Sequence, residues 1–105
     1  MAYRVMRTAK ADELIHRIIL FVAERFGRDT ALEKMQELEK ALFSLGDNPY
    51  IGVQPQYHFL RRQGYRVLIL EKDLVFYKVD EHEKTVTIYA VTDQRQDYLG
   101  ILRGL

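Results

Sequence analysis

The sequence predicts an α+β domain in which a short N-terminal strand and an antiparallel helical hairpin precede a curled antiparallel sheet of three to four strands. Apolar residues recur at helical spacing through the first half of the chain. Apolar, β-branched and aromatic residues dominate Phe59–Leu102, and polar turn residues divide that stretch into strands. The expected order of elements is therefore β-α-α-β-β-β, with room for a further strand.

Size and composition limit the class of protein. A chain of 105 residues forms one domain, here residues 1–105, and its 48% hydrophobic and 30% charged residues are typical of a globular protein. The net charge of +1 means that any nucleic-acid binding must rest on a local patch. No apolar run is long enough to cross a membrane, and early basic residues interrupt any signal-peptide pattern. The lack of cysteine fits a reducing, cytoplasmic location.

The N-terminal half contains the predicted strand and hairpin. Tyr3 to Met6 form the strand, Thr8 caps the first helix, and Gly27 ends it. The second helix begins near Asp29 or Thr30, where Thr30-Ala-Leu-Glu33 matches a capping box. Gly46 and the following Asp47-Asn-Pro49 close this helix.

The C-terminal half contains the predicted sheet, which follows a loop over residues 47–56. Gln63-Gly64 and Lys72-Asp73 fit two-residue turns, and the polar stretch from Asp80 to Lys84 is a further turn before the strand Thr85–Val91.

These turns set a register in which Arg61 lies opposite Arg66 and Leu68 lies opposite Tyr77. One face is then the expected helix-facing core, with Leu60, Val67, Ile69, Leu74 and Phe76. The other face carries Phe59, Arg61, Arg66, Leu68, Leu70, Val75, Tyr77 and Val79. Opposed like charges are destabilising, so the two arginines are expected to share a carboxylate or a phosphate.

Arginine and tyrosine side chains are the main candidates for a site. Arg66 interrupts an apolar strand, where an unpaired charge is costly. Arg95 and Tyr98 are three residues apart in a polar tail, and on a helix they would share a face. A phenol beside a guanidinium group can stack on a base and serve in proton transfer. The alternatives are ordinary surface ion pairs for the arginines and a terminal helical turn that docks Tyr98, Leu99 and Leu102 on the core.

Other chemistries find little support in the sequence. His58 precedes the arginine-bearing segment and is the one histidine placed to act as an acid or base. No two histidines have metal-ligand spacing, and there is no glycine-rich phosphate loop. We therefore expect no metal and no small-molecule cofactor.

Four segments in order carry a resemblance to a known family. They are Leu45-Gly-Asp-Asn-Pro49 with Gly52, Leu60-Arg-Arg-Gln-Gly-Tyr-Arg66, Leu74-Val-Phe-Tyr-Lys-Val-Asp80, and Val91-Thr-Asp-Gln-Arg-Gln-Asp-Tyr98. Together with the order of elements, they make nearly the whole chain similar to the RelE/ParE superfamily of bacterial type II toxins.

The resemblance implies a growth-inhibiting toxin that a cognate antitoxin neutralises. RelE-like members cleave mRNA on the ribosome without a metal ion, whereas ParE-like members poison DNA gyrase by binding it. For cleavage, the resemblance implies catalytic roles for Arg66, Arg95 and Tyr98, and RNA or anion binding by Arg61, Arg62, His58 and Tyr77. A third reading is a binding module that pairs with an antitoxin-like helix but is not toxic.

The target is interpreted from these same residues. The interpretation favours mRNA cleavage, because Arg66, Arg95 and Tyr98 are hard to explain as packing residues. ParE-like gyrase poisoning is the alternative, because the chain is nearly neutral and has no lysine over residues 57–71.

Overall fold

A four-stranded mixed sheet lies at the centre of the structure, a computed structural model that describes residues 2–94 and 99–104. In chain order the elements are β1 (Arg4–Arg7), α1 (Ala9–Phe26), α2 (Arg28–Ser44), α3 (His58–Arg62), β2 (Arg66–Ile69), β3 (Asp73–Asp80), β4 (Thr85–Asp93) and α4 (Leu99–Arg103). The strand order is β1-β4-β3-β2, with β1 parallel to β4 and the other pairs antiparallel. The predicted α+β class is confirmed. None of the helices in the described ranges is long and apolar enough to span a membrane.

The helical hairpin forms nearly where the sequence places it. The Thr8 hydroxyl accepts a hydrogen bond from the Ala11 amide at 3.0 Å, so Thr8 is the cap of α1 as predicted. Gly27 ends α1 with a φ of +93°, a conformation that favours glycine. The predicted capping box at Thr30 does not form, because α2 begins directly after Gly27, at Arg28.

The segment predicted as the first strand of the meander is a short helix instead. Leu60 of α3 is buried, and Gly64, with a φ of +88°, ends the turn rather than closing a hairpin. The Tyr65 amide then donates to the Leu60 carbonyl at 3.1 Å. A run of only five residues carries too little periodicity to distinguish a strand from a helix.

The register between β2 and β3 differs from the prediction by two residues. Arg66 lies opposite Tyr77, and Leu68 lies opposite Val75. The cause is the position of the turn: the Leu70 amide bonds to the Asp73 carbonyl at 2.9 Å, so the two turn residues are Glu71 and Lys72, one position earlier than predicted. Because side chains alternate with a period of two, this shift leaves the predicted division of residues between the two faces of these strands unchanged.

The choice of helix-facing side was wrong. Ala11, Ile15, Leu38 and Leu42 of the hairpin pack in one cluster with Val75, Tyr77, Val86 and Ile88. The residues predicted to face the hairpin lie mainly on the other side of the sheet: Leu60, Val67 and Phe76 cluster with Leu102, and of the hairpin's buried residues only Leu14 of α1 joins them. Ile69 is 59% exposed. Both faces of the sheet are apolar, so alternation alone cannot tell which one the hairpin covers.

A β-bulge in β4 bends the sheet. Phe76 pairs with Ala90 while Tyr77 pairs with Ile88, so Tyr89 is the extra residue. Bulges of this kind increase the local twist of a sheet.

Candidate functional site

Arg66 is bound to the loop that precedes α3 rather than to an anionic group of the described chain. Its Nη2 donates to the carbonyl oxygen of Gly52 at 2.6 Å and to that of Tyr50 at 3.1 Å. The guanidinium carbon also lies 5.2 Å from the centre of the Tyr50 ring. Its Nε is buried without a hydrogen-bond partner. The hydrogen bonds to these two carbonyls therefore offset much of the free-energy cost of burying the guanidinium group.

Tyr77 anchors the same loop from beneath. It is fully buried; its hydroxyl donates to the Pro49 carbonyl at 2.7 Å and accepts from the Gly52 amide at 3.0 Å. A Cβ at Gly52 would lie 2.5 Å from that hydroxyl and 2.7 Å from the Val67 carbonyl, so only glycine fits. Tyr77 is one of the residues predicted to bind RNA or an anion, and the structure places its ring in the core with its hydroxyl bonded to the loop.

Glu81, which the sequence analysis did not single out, holds the outer side of the loop. Its carboxylate accepts hydrogen bonds from Tyr3 at 2.7 and 2.9 Å, from the hydroxyl of Tyr50, and from Lys84 at 3.1 Å. The hydrogen bonds from Tyr50 and Tyr3, in that order, lower the pKa of Glu81 to about 2. The same contact raises the pKa of Tyr50 to about 12.

These contacts join residues far apart in the chain. Glu81 is separated from Tyr50 by 31 positions and from Tyr3 by 78. No local spacing in the sequence could have indicated these contacts of Glu81 with Tyr3 and Tyr50.

The basic residues of α3 lie apart from Arg66. His58, Arg61 and Arg62 are exposed on this short helix, and Arg61 donates weakly to the Pro55 carbonyl at 3.4 Å. α3 packs through Leu60 on the face opposite to the one that carries Arg66 and Tyr77. The predicted pair of Arg61 and Arg66 across two strands does not exist.

Three cation–aromatic contacts lie on the face that α3 covers. The Lys78 ammonium lies 4.5 Å from the ring centre of Tyr65 and 5.1 Å from that of Tyr89, and these rings pack edge to face. Arg103 lies 6.0 Å from the ring centre of Phe59. Basic side chains thus contact aromatic rings on this side of the sheet, whereas Arg66 binds the loop carbonyls on the other side.

A shallow groove of about 290 Å³ lies beside β2 on the α3 side. It is lined by Val53, Gln54, Pro55, Gln56, Tyr57, Leu60, Val67, Ile69, Leu74 and Phe76. None of these side chains is ionisable in the neutral pH range, so the groove suits an apolar group.

The remaining predicted site residues, Arg95 and Tyr98, lie outside the described residues. Within residues 2–94 and 99–104, no cluster of histidine, aspartate and glutamate could hold a metal ion. The site that the structure describes is therefore a loop fixed by Arg66, Tyr77 and Glu81, next to an apolar groove.

Comparison with known families assigns the chain. Residues 5–98 match the model of the ParE toxin of the type II toxin–antitoxin system parDE. The chain belongs to the ParE toxin family. This places it in the RelE/ParE superfamily that the four sequence segments indicated. No curated protein sequence gives a significant match.

Solved structures share the fold of this ParE-family chain. The chromosomal ParDE toxin–antitoxin system of P. aeruginosa matches with a TM-score of 0.72 at 20% identity, over 88% of this chain and 96% of that one. The toxin–antitoxin complex RelBE2 of Mycobacterium tuberculosis matches with 0.63 at 18% identity, over 91% and 95%. The intact E. coli RelBE complex matches with 0.59 at 14% identity, over 90% and 100%. At these identities the likeness concerns the fold.

Proposed function

We propose that this chain is the toxin of a type II toxin–antitoxin module and that it inhibits growth by binding DNA gyrase rather than by cleaving mRNA. The observation that carries the choice of target is the placement of Arg66, whose guanidinium group binds the carbonyls of Tyr50 and Gly52. Membership in the ParE family points the same way.

The proposal follows from what a cleavage site needs. Such a site requires cations free to stabilise charge that develops on a phosphate. To stabilise charge on a phosphate, Arg66 would have to break its hydrogen bonds to the two loop carbonyls. Its partly buried guanidinium group would also have to become exposed to solvent. Tyr77 would have to leave the core. A binding toxin needs neither change, because it uses its surface as it stands.

A cognate antitoxin is part of the proposed function. The P. aeruginosa structure is of a ParDE toxin–antitoxin system, and one E. coli RelE variant of the same fold is in complex with an antitoxin peptide. That RelE structure covers 98% of this chain at 14% identity with a TM-score of 0.59. By analogy, a segment of an antitoxin would neutralise this chain.

Ribosome-associated mRNA cleavage is the second candidate. The observation in its favour is the exposed set of basic residues on α3, His58, Arg61 and Arg62, on the side where Arg103 contacts Phe59. In that case Arg95 and Tyr98 would supply phosphate binding and proton transfer without a metal ion.

The two candidates separate in a labelling experiment. The chain is induced without antitoxin, and incorporation of labelled thymidine and labelled amino acids is followed over the first minutes. Gyrase poisoning predicts that DNA synthesis falls first, and purified protein then inhibits supercoiling by gyrase. An early loss of protein synthesis with untouched supercoiling would refute the proposal.

Tyr98→Phe sharpens the test because it keeps the ring and removes only the hydroxyl. A cleaving enzyme that moves a proton through this group loses about 100-fold or more in rate. A gyrase-binding toxin keeps its growth inhibition. Tyr89→Phe is the matched control, since it removes a tyrosine hydroxyl that makes no hydrogen bond to the described residues.

A further inference from the structure

Basic residues collect on the side of the sheet that α3 and α4 cover, although the whole chain has a net charge of only +1. The sequence has no aspartate or glutamate over residues 48–70, a stretch that includes α3, and none from residue 99 onward. α3 exposes Arg61 and Arg62, and α4 exposes Arg103. The proposed binding of gyrase gives these arginines no role.

Contacts between the elements join these arginines to a lysine of the sheet. At α4, Arg103 lies 6.0 Å from the ring centre of Phe59 in α3. Just after α3, the Tyr65 amide donates to the Leu60 carbonyl, and the Lys78 ammonium lies 4.5 Å from the centre of the Tyr65 ring. The α3-side basic surface therefore consists of four residues, Arg61, Arg62, Lys78 and Arg103.

Carboxylates of the described chain leave this surface without counter-charges. Within residues 2–94 and 99–104, the salt bridges use basic residues of β1, the hairpin and the turn before β4, and none uses a residue of the α3-side basic surface. The same face of β3 carries one carboxylate, Asp80, at the end of the strand. Unpaired cations on one face create a local positive potential, which attracts a polyanion even when the net charge is small.

The aromatic rings of this side are not open for stacking. Tyr65 is only 5% exposed and packs edge to face with Tyr89, and the Lys78 ammonium lies against both rings. Proteins bind single-stranded RNA largely through bases that stack on open aromatic rings. Because the chain's own cations lie against these rings, its basic side chains are left to contact phosphates. The backbone of double-stranded DNA offers regularly spaced phosphates and needs no stacking partner.

We infer that the α3-side basic surface binds phosphates of double-stranded DNA, so that the toxin contacts the DNA that gyrase holds while it inhibits the enzyme. The gyrase part of this inference rests on the proposed function, whereas the DNA contact itself does not. Phosphate contacts carry no direct sequence information, so the binding is independent of DNA sequence.

The first test measures binding of the purified full chain to a fluorescently labelled DNA duplex of arbitrary sequence, by anisotropy over a range of salt concentrations. With up to four cations on phosphates, the logarithm of the binding constant should fall with the logarithm of salt concentration with a slope between about −2 and −4. Single-stranded RNA of the same length should bind more weakly. Tighter binding of the RNA, or no binding of the duplex at low salt, would overturn the inference.

Matched substitutions locate the DNA contact on the chain. Arg62→Gln and Arg103→Gln should each reduce the magnitude of the salt slope by about 1. Arg25→Gln is the control, because Arg25 is also exposed and lies 5.1 Å from an aromatic ring centre, that of Phe21, but on the hairpin. It should leave the slope unchanged. Circular dichroism shows whether each variant folds.

Supercoiling by gyrase provides the second test. The double variant Arg62→Gln/Arg103→Gln should need about tenfold more protein than the wild type for the same inhibition, because the DNA contact is weakened. Its binding to gyrase in the absence of DNA should be unchanged, and Arg25→Gln should match the wild type in both measurements. Equal inhibition by the double variant and the wild type would overturn the inference.

The remaining outcomes separate this inference from the proposed function. If the chain inhibits gyrase but does not bind duplex DNA, the inference fails and the gyrase proposal stands. If the chain binds duplex DNA as expected but leaves gyrase unaffected, the DNA-binding surface stands and the gyrase proposal fails. If Arg25→Gln weakens DNA binding as much as Arg62→Gln does, the attraction comes from overall charge, and the inference is overturned.

Discussion

The hydroxyl of Tyr77 connects the sheet to the loop at Pro49 and Gly52. Tyr77→Phe removes both hydrogen bonds and leaves a buried amide and a buried carbonyl without partners. We expect this to lower the free energy of unfolding by about 1–3 kcal/mol. Urea unfolding measures it, with Tyr89→Phe as a control expected to change little. An unchanged midpoint in Tyr77→Phe would mean that the loop does not depend on this contact.

Gly52 is restricted by space, not by its backbone angle. Gly52→Ala places a methyl group 2.5 Å from the Tyr77 hydroxyl and 2.7 Å from the Val67 carbonyl. Forcing these atoms apart should cost about 1–3 kcal/mol of stability. Gly100→Ala is the matched control, because nothing lies within 4 Å of a Cβ there and alanine favours a helix. Thermal unfolding of both variants decides the matter, and equal midpoints would contradict the expected clash.

Glu81 makes stability depend on pH at both ends of the range. Because hydrogen bonds lower its pKa from 4.5 to about 2, its contribution is present above pH 4.5 and is lost as the pH falls towards 2. The raised pKa of Tyr50 acts at the other end: its contribution is present below pH 10 and is lost as the pH rises towards 12. Urea midpoints should therefore fall below pH 4.5 more steeply in the wild type than in Glu81→Gln. Glu83→Gln should follow the wild type.

At the scale of elements, a buried ion pair ties α2 to the start of β3. Lys34 binds Asp73, with side chains that are 13% and 2% exposed. Lys34→Met leaves the Asp73 carboxylate buried and unpaired, so we expect a loss of about 3 kcal/mol of stability. The double variant Lys34→Met/Asp73→Leu should recover part of it, since no charge is left buried. Glu13→Gln, in exposed pairs with Lys10 and Arg17, is the control and should cost less than about 1 kcal/mol. Equal losses in the single and double variants would contradict this account.

At the scale of the whole molecule, one sheet supplies both apolar clusters. Val75 and Tyr77 of β3 pack with the hairpin, while Phe76 of the same strand packs with Leu60 and Leu102 on the other side. Loss of the packing on either face would expose apolar residues of the strands that both clusters share. The chain should therefore unfold in one transition. Far-ultraviolet circular dichroism and tyrosine fluorescence should give the same midpoint. Earlier loss of the helical signal would show that the hairpin melts separately.

The sequence by itself determined the class, the hairpin and the superfamily. Thr8 and Gly27 mark helix ends through local chemistry, and β-branched residues mark β3 and β4, so these elements could be predicted from neighbouring residues alone. The family segments lie along the chain in order and needed no tertiary information. Those signals are local, and local physics is what a single sequence displays.

Only the tertiary structure decided where the site residues lie. The α3 segment is too short for the spacing of its apolar residues to distinguish a helix from a strand. Because both faces of the sheet are apolar, the sequence did not show which face the hairpin covers. The hydrogen bonds of Glu81 with Tyr3 and Tyr50, and those of Arg66 with the loop carbonyls, join residues 14 to 78 positions apart, which no spacing rule reaches. An arginine within an apolar strand predicts that its guanidinium group needs hydrogen-bond acceptors, but it does not predict which groups these are. Here the partners are two backbone carbonyls, because the fold brings the loop against β2.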